Sequence, residues 1–217
     1  MSLYFGDLLP YVHLLLKGLW ISLYVTVICM ILGSGIGIFI YLAKTSSSNV
    51  LRTISSTYIE IFRNTPLLVQ LYLIYFGLGQ FQINIGPLWS TLIGMTMNNA
   101  AYTAEIFRGG INSVPEGLKE AGRALGMSPA QIFRHIVFLP AVRSVFPALT
   151  NQFILLFLAS SVASVISLPE LTYQILNIES KTFRTFEVLT VGAILYFGCS
   201  SFFAALSKAL EKKLFKW

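Results

Sequence analysis

Long runs without a formal charge dominate this sequence. Gly18 to Ala43 has none in 26 residues, and Asn64 to Ala104 has none in 41. At about 1.5 Å per residue, a 26-residue helix reaches roughly 39 Å, enough to cross a hydrocarbon core of about 30 Å with some tilt. The second run is interrupted between Gly77 and Pro87 by glycine, proline and the amides Gln80, Gln82 and Asn84, which predicts two crossings joined by a turn. Ser144 to Pro169 and Val188 to Ser207 are also uncharged. The expected fold is an all-α integral membrane protein, a single transmembrane domain over residues 1–217. Its five transmembrane helices fall at about 18–43, 64–79, 86–107, 144–167 and 188–207. A composition of 55% hydrophobic and 11% charged residues excludes an ordinary soluble domain.

The charged residues lie between these runs. The net charge of +6 would suit nucleic acid only if it formed a basic face, and no such face or interleaved aromatic module is present. It reads instead as positive-inside topology: twelve of the fifteen Lys and Arg residues fall on one side of a five-span arrangement. This puts the N-terminus outside and the C-terminus, with its lysine-rich tail, in the cytoplasm. The first 17 residues carry Asp7 and no basic n-region, so a short interfacial helix over Leu3 to Leu16, with Lys17 at the boundary, is expected rather than a cleaved leader. Cys29 and Cys199 lie in apolar blocks and read as small hydrophobes. Gly33 and Gly37, four apart within the first span, predict close helix packing.

Between the third and fourth spans, residues 113–140 hold charge and amphipathic periodicity together. Two short helices are expected. Ser113 with Glu116, and Ser128 with Gln131, have capping-box spacing; Gly126 suits a left-handed turn between them; Pro140 marks an end or a kink. Val114, Leu118, Ala121 and Leu125 form an apolar stripe on the first helix. Either the protein's own surface or a partner could cover it. Elsewhere, Thr65 and Pro66 read as the start of a helix, Ser167 with Glu170 as another capping box, and Glu60 with Arg63 as a spaced ion pair.

Catalytic chemistry finds no support. There is no G-x-x-x-x-G-K-[ST] loop for nucleotide phosphates, and His13 and His135 are in no metal-ligand spacing. The spans lack ionisable residues to act as acid or base. The polar residues at membrane depth are amides and hydroxyls: Asn98 and Asn99 in the third span, and Gln152, Ser160 and Ser161 in the fourth. Each can join helices by hydrogen bonds or line a polar path.

The run Glu120, Ala121, Ala124, Leu125, Gly126, followed by Ile136, Leu139 and Pro140, resembles the cytoplasmic loop signature of permease subunits in ATP-binding-cassette importers. Tyr58 to Gly77, Asn99 to Ile111 and Ser161 to Thr172 are similar to the corresponding segments of the polar-amino-acid type, which serves histidine, glutamine, glutamate and arginine. The resemblance covers nearly the whole chain. It implies a type I importer permease fold in the bacterial inner membrane and a coupling hairpin at 113–140 that docks on the ATPase through Glu120, Ala121, Ala124, Leu125 and Gly126. Its implied partners are a cytoplasmic ATPase dimer that uses the ATP, a second permease subunit, identical or homologous, and an external solute-binding protein. No cofactor is expected on this chain. Such permeases often carry an acidic residue at the position of Gln152 and a Lys-Asp or similar pair at Leu158 and Ala159. Their replacement argues against a cationic solute at this subunit, or for a partner subunit that holds the ligand. The competing readings are a channel or ion-coupled secondary carrier, and a membrane scaffold.

Overall fold

A computed structural model describes residues 4–215; Leu3 and Lys216 lie outside them. Among the described residues the chain is helical throughout, with no strand. After a 3-10 turn at Gly6–Tyr11, eight helices follow: α1 (Val12–Lys44), α2 (Asn49–Asn64), α3 (Leu67–Gln80), α4 (Gly86–Asn112), α5 (Glu116–Ala124), α6 (Pro129–Ile166), α7 (Leu171–Thr182) and α8 (Thr185–Leu214). Of the short helix expected over Leu3 to Leu16 and leading into the first span, the described residues show a 3-10 turn at Gly6–Tyr11 that passes directly into α1. α1 starts at Val12 and runs through Lys17 unbroken, because nothing in VHLLLKGLW caps or stops a helix.

Length and composition qualify three helices as membrane spans: the 3-10 turn with α1 over Gly6–Lys44, then α6 and α8. α3 is apolar but shorter; its 14 residues reach roughly 21 Å. α4 has 27 residues, long enough to cross, but its polar side chains dilute its hydropathy. Those side chains are turned inward. Ser90, Thr91, Thr96, Asn98, Asn99 and Thr103 are all buried, so α4 serves as the axis on which α1, α2, α3 and α6 pack.

The α1–α4 contact is close because Gly33 and Gly37 face it. A Cβ at Gly33 would lie 2.6 Å from Asn99 Nδ2, and one at Gly37 would strike Thr103, as the sequence spacing predicts. The main core joins Val25 and Cys29 of α1, Leu71 of α3, Met95 of α4 and Leu156 of α6. A second cluster ties Leu8 and Leu15 to Leu171 and Ile178 of α7 and Val188 of α8. A third, Val114, Ile132, Val137 and Ala141, seats the α5–α6 hairpin. Both cysteines are free.

Several local expectations need correction. Pro140 does not end a helix: α6 continues past it, with π-helical hydrogen bonding over Phe133–Val137 just upstream. Pro140 brings no N–H and crowds the carbonyl one turn back, and a widened turn accommodates both defects. The Ser128–Gln131 box forms. The Ser113–Glu116 box does not, since Pro115 is the N-cap of α5 and Ser113 Oγ donates back to the Gly110 carbonyl, 2.7 Å away. Ser167 is not the cap of α7. It closes the preceding 3-10 turn at φ 64°, and Glu170 caps the helix, accepting from the Thr172 and Tyr173 amides at 2.9 and 2.8 Å. Thr65 ends α2 rather than starting α3, with Pro66 at the cap position. Arg63 approaches Glu105 rather than Glu60, at 3.8 Å.

Candidate functional site

The break between α2 and α3 generates the site. Thr65 and Pro66 are extended, so the last carbonyls of α2 lose the donors a continuing helix would supply, and Pro66 has no N–H to offer. Amides fill the gap. Gln70 Nε2 donates to the Phe62 carbonyl at 3.0 Å, the Thr65 carbonyl at 3.1 Å and Thr65 Oγ1 at 2.8 Å. Asn98 Nδ2 on α4 donates to the same Phe62 carbonyl at 3.2 Å and to Gln70 Oε1 at 3.1 Å.

Asn99, one residue on, points about 100° around the helix to the opposite seam. Its Nδ2 donates to the Cys29 carbonyl on α1 at 3.2 Å, and its Oδ1 accepts from Gln152 Nε2 on α6 at 3.0 Å. Through the adjacent residues Asn98 and Asn99, α4 carries a polar assembly of two separate hydrogen-bonded groups, Asn98 with Gln70 and Asn99 with Gln152, and Gln70 is the member that sequence reasoning missed. Ser160 and Ser161 do not join it. Each hydroxyl donates 2.7 Å to a carbonyl three residues back, Phe157 and Leu158, which satisfies it within its own turn.

Beside this assembly lies a cavity of about 440 Å³, lined by residues 63–67 of the α2–α3 break, Asn98 and Tyr102 of α4, and Gln152, Leu155, Leu156 and Ala159 of α6. That size suits a small organic solute. Arg63 at its mouth lies over the Tyr102 ring, 5.3 Å from the centroid. Of the two replaced positions, Ala159 lines the cavity, whereas Leu158 is substantially exposed. A second hollow of about 370 Å³, between Tyr41, Phe107, Phe138 and Phe146, is walled almost wholly by apolar side chains and could not orient a polar solute.

The hairpin is a separate feature. Gly122 faces Ile132 and Ile136, and a Cβ there would lie 2.6 Å from Ile136 Cδ1, so this side of α5 packs inward with Val114. Glu120, Ala121, Ala124 and Leu125 turn outward and are exposed, as is Leu118. Gly126 makes the left-handed turn at φ 75°. Glu116 is held below the usual carboxylate range by hydrogen bonds from Lys119, 3.0 Å, and Arg123, 2.8 Å. The stripe read from the sequence thus divides, with Val114 in the core and Leu118, Ala121 and Leu125 facing away from it.

Residues 33–216 match the family of binding-protein-dependent transport system inner membrane components. The chain belongs to that family. It is accordingly a multi-pass inner-membrane protein. Among its relatives, the arginine transport system permease protein ArtQ of Bacillus subtilis is 33% identical over 99% of this chain and 98% of its own length. The octopine transport system permease protein OccM of Rhizobium radiobacter is 37% identical over 91% and 84%. The structure aligns with a TM-score of 0.94 and 38% identity to a chain of an amino acid ABC transporter crystallised with histidines, over 98% of this chain and all of that one. A chain of the MetNI methionine ABC transporter in an inward-facing form aligns at 0.71 with 25% identity. The fold is therefore that of ABC importer permeases.

Proposed function

We propose that this chain is the membrane-spanning subunit of an ATP-driven, binding-protein-dependent importer for a polar amino acid or a related solute, working by alternating access. The observation that carries the reading is the amide-lined cavity beside the α2–α3 break, in a family whose named relatives transport arginine and octopine. In this reading the membrane is crossed five times, by α1, α3, α4, α6 and α8, with the N-terminus outside and the C-terminus cytoplasmic. The Lys and Arg distribution supports that orientation, and the short α3 crosses with help from the polar turns that flank it.

Asn98 and Gln152 supply the polar wall of the solute path, with the buried Asn99 holding Gln152 in place behind it; Ser160 and Ser161 tighten the end of α6. The exposed stripe Leu118, Ala121 and Leu125 is the face that meets the ATPase, with Glu120, Ala124 and Gly126 completing the hairpin surface. ATP is bound and hydrolysed by that separate subunit. A second permease subunit completes the path, and an external binding protein delivers the solute. Purification of the tagged permease from mild detergent is expected to bring down an ABC ATPase in one-to-one ratio. Recovery of the permease alone, with ion-driven flux in vesicles, would instead establish the channel or secondary-carrier reading.

A further inference from the structure

Two apolar hollows lie side by side at the end of the bundle that carries the basic tail. The first, of about 370 Å³, is walled by Tyr41 and Leu42 of α1, Phe107 of α4, and Phe138, Phe146 and Leu149 of α6. The second, of about 360 Å³, lies between Val27 of α1, Phe146, Leu149 and Phe153 of α6, and Leu206 and Leu210 of α8. Phe146 and Leu149 belong to both walls, so a single ridge divides the two hollows. Gly33 and Gly37 draw α1 onto α4, while α6 and α8 pack on each other through Phe153 and Phe203, 4.8 Å between ring centroids. Leu42, Phe138, Leu206 and Leu210 are exposed, so both hollows open on the outside of the bundle.

Their rim is basic. The Phe146 and Phe215 rings meet at 5.9 Å between centroids, which brings the end of α8 beside α6. Lys213 continues the helical stripe of Leu206 and Leu210, and both it and Lys212 are exposed. Arg143, also exposed, sits one turn before Phe146 on α6. No carboxylate is part of either wall; Glu211 lies on another side of α8, in a groove with Lys208 and Asn151. In the orientation proposed above, this rim stands at the cytoplasmic boundary. The second hollow then runs from Leu210, near the end of α8, to Val27, near the middle of α1.

A protein helix, about 10 Å across, does not fit into two hollows of this size parted by a ridge, whereas two thin hydrocarbon chains joined at one headgroup do. Basic residues just cytoplasmic of a membrane helix attract anionic headgroups. We infer that this face binds one anionic phospholipid of the inner leaflet, with a chain on either side of the Phe146–Leu149 ridge and the phosphate at Lys213 and Arg143. The site is apart from the solute cavity, and it takes from the importer reading only the orientation of the chain.

The test uses the full-length permease purified with its partners in mild detergent, and phosphatidylglycerol carrying a photoactivatable group on one chain, with cross-links mapped by peptide mass spectrometry. The peptide holding Phe146 and Leu149 is expected to be labelled, and excess unlabelled phosphatidylglycerol should remove the label. Phosphatidylcholine with the same chains, and glycerol phosphate without chains, should each compete at least about tenfold less well, the scale set by two basic side chains near a headgroup. Ile194 and Phe197, exposed on α8, report ordinary lipid contact, and their label should respond to both lipids alike. Lys213→Gln combined with Arg143→Gln should abolish the headgroup preference at Phe146 and leave the label at Ile194 and Phe197 unchanged. Competition at Phe146 that ignores the headgroup would overturn the inference. So would labelling of Ile194 and Phe197 with none at Phe146, the result expected if a second permease subunit covers this face. A C-terminal reporter found outside the cell would overturn the orientation, and with it the inner-leaflet assignment, while leaving the cross-link at Phe146 in place.

Discussion

At the scale of single residues, each amide has a partner that makes its substitution specific. A glutamate at Gln152 could not donate to Asn99 Oδ1, and Asn99 cannot reverse its amide without giving up the Cys29 carbonyl. Gln152→Glu is therefore expected to destabilise the α4–α6 contact by about 1–3 kcal/mol and to shift solute preference toward cations. Melting in detergent checks the first effect, and uptake competition with L-arginine checks the second; unchanged melting and competition would contradict both. The amides at 98, 99 and 152 were legible because charge-free runs at membrane depth make any strong hydrogen-bonding group conspicuous. Ser160 and Ser161 were misgrouped because a hydroxyl can be satisfied by its own turn, and no spacing reveals whether it is. Gln70 went unnoticed because its importance comes from the interruption at Thr65–Pro66, which the sequence places at a helix start instead of between two helices.

At the scale of elements, the hairpin was legible in outline. Its periodicity and the Ser128 cap were in the sequence, but which side of α5 meets the protein depended on Gly122, whose missing side chain admits Ile132 and Ile136. Ala121→Asp places a charge on the outward face at little cost to this chain alone. Against an ATPase groove an unpaired carboxylate costs several kcal/mol, so the ATPase should be lost at unchanged permease levels. Lys119→Ala removes only an exposed ion pair, which water and salt screen, and should be mild. Retention of the ATPase by Ala121→Asp on copurification would show that this face is not the coupling surface. Gly126→Val forces a β-branched residue to φ 75° and should distort the hairpin.

α7 depends on another residue that spacing placed wrongly. Glu170, fully buried, accepts from Ser22 Oγ at 3.2 Å, Tyr196 Oη at 3.1 Å and the two cap amides, tying α7 to α1 and α8. Glu170→Ala strands these donors and removes the cap, with an expected loss of about 2 kcal/mol or more. A depressed melting temperature in detergent would bear this out; an unchanged one would contradict it.

At the scale of the molecule, the charge-free runs foretold a helical membrane protein, and α4 shows where that signal weakens. A helix that turns its polar side chains toward its neighbours loses hydropathy and gains packing surface, so composition alone leaves it short of a span. α8 is the opposite case: it is apolar yet little buried, with Phe186, Ile194, Phe197 and Phe202 exposed, the pattern of a helix at the bundle's periphery. The arrangement as a whole, a central polar-seamed helix, a small amide-lined cavity and an outward-facing hairpin, makes sense if solute movement is driven from the cytoplasmic side by another subunit. The most direct measurement is uptake of a labelled amino acid into proteoliposomes holding the permease with its ATPase and binding protein. The account predicts accumulation that requires both ATP on the ATPase side and the binding protein on the other, and that stops in Ala121→Asp. Accumulation that follows an ion gradient and is indifferent to ATP would contradict it.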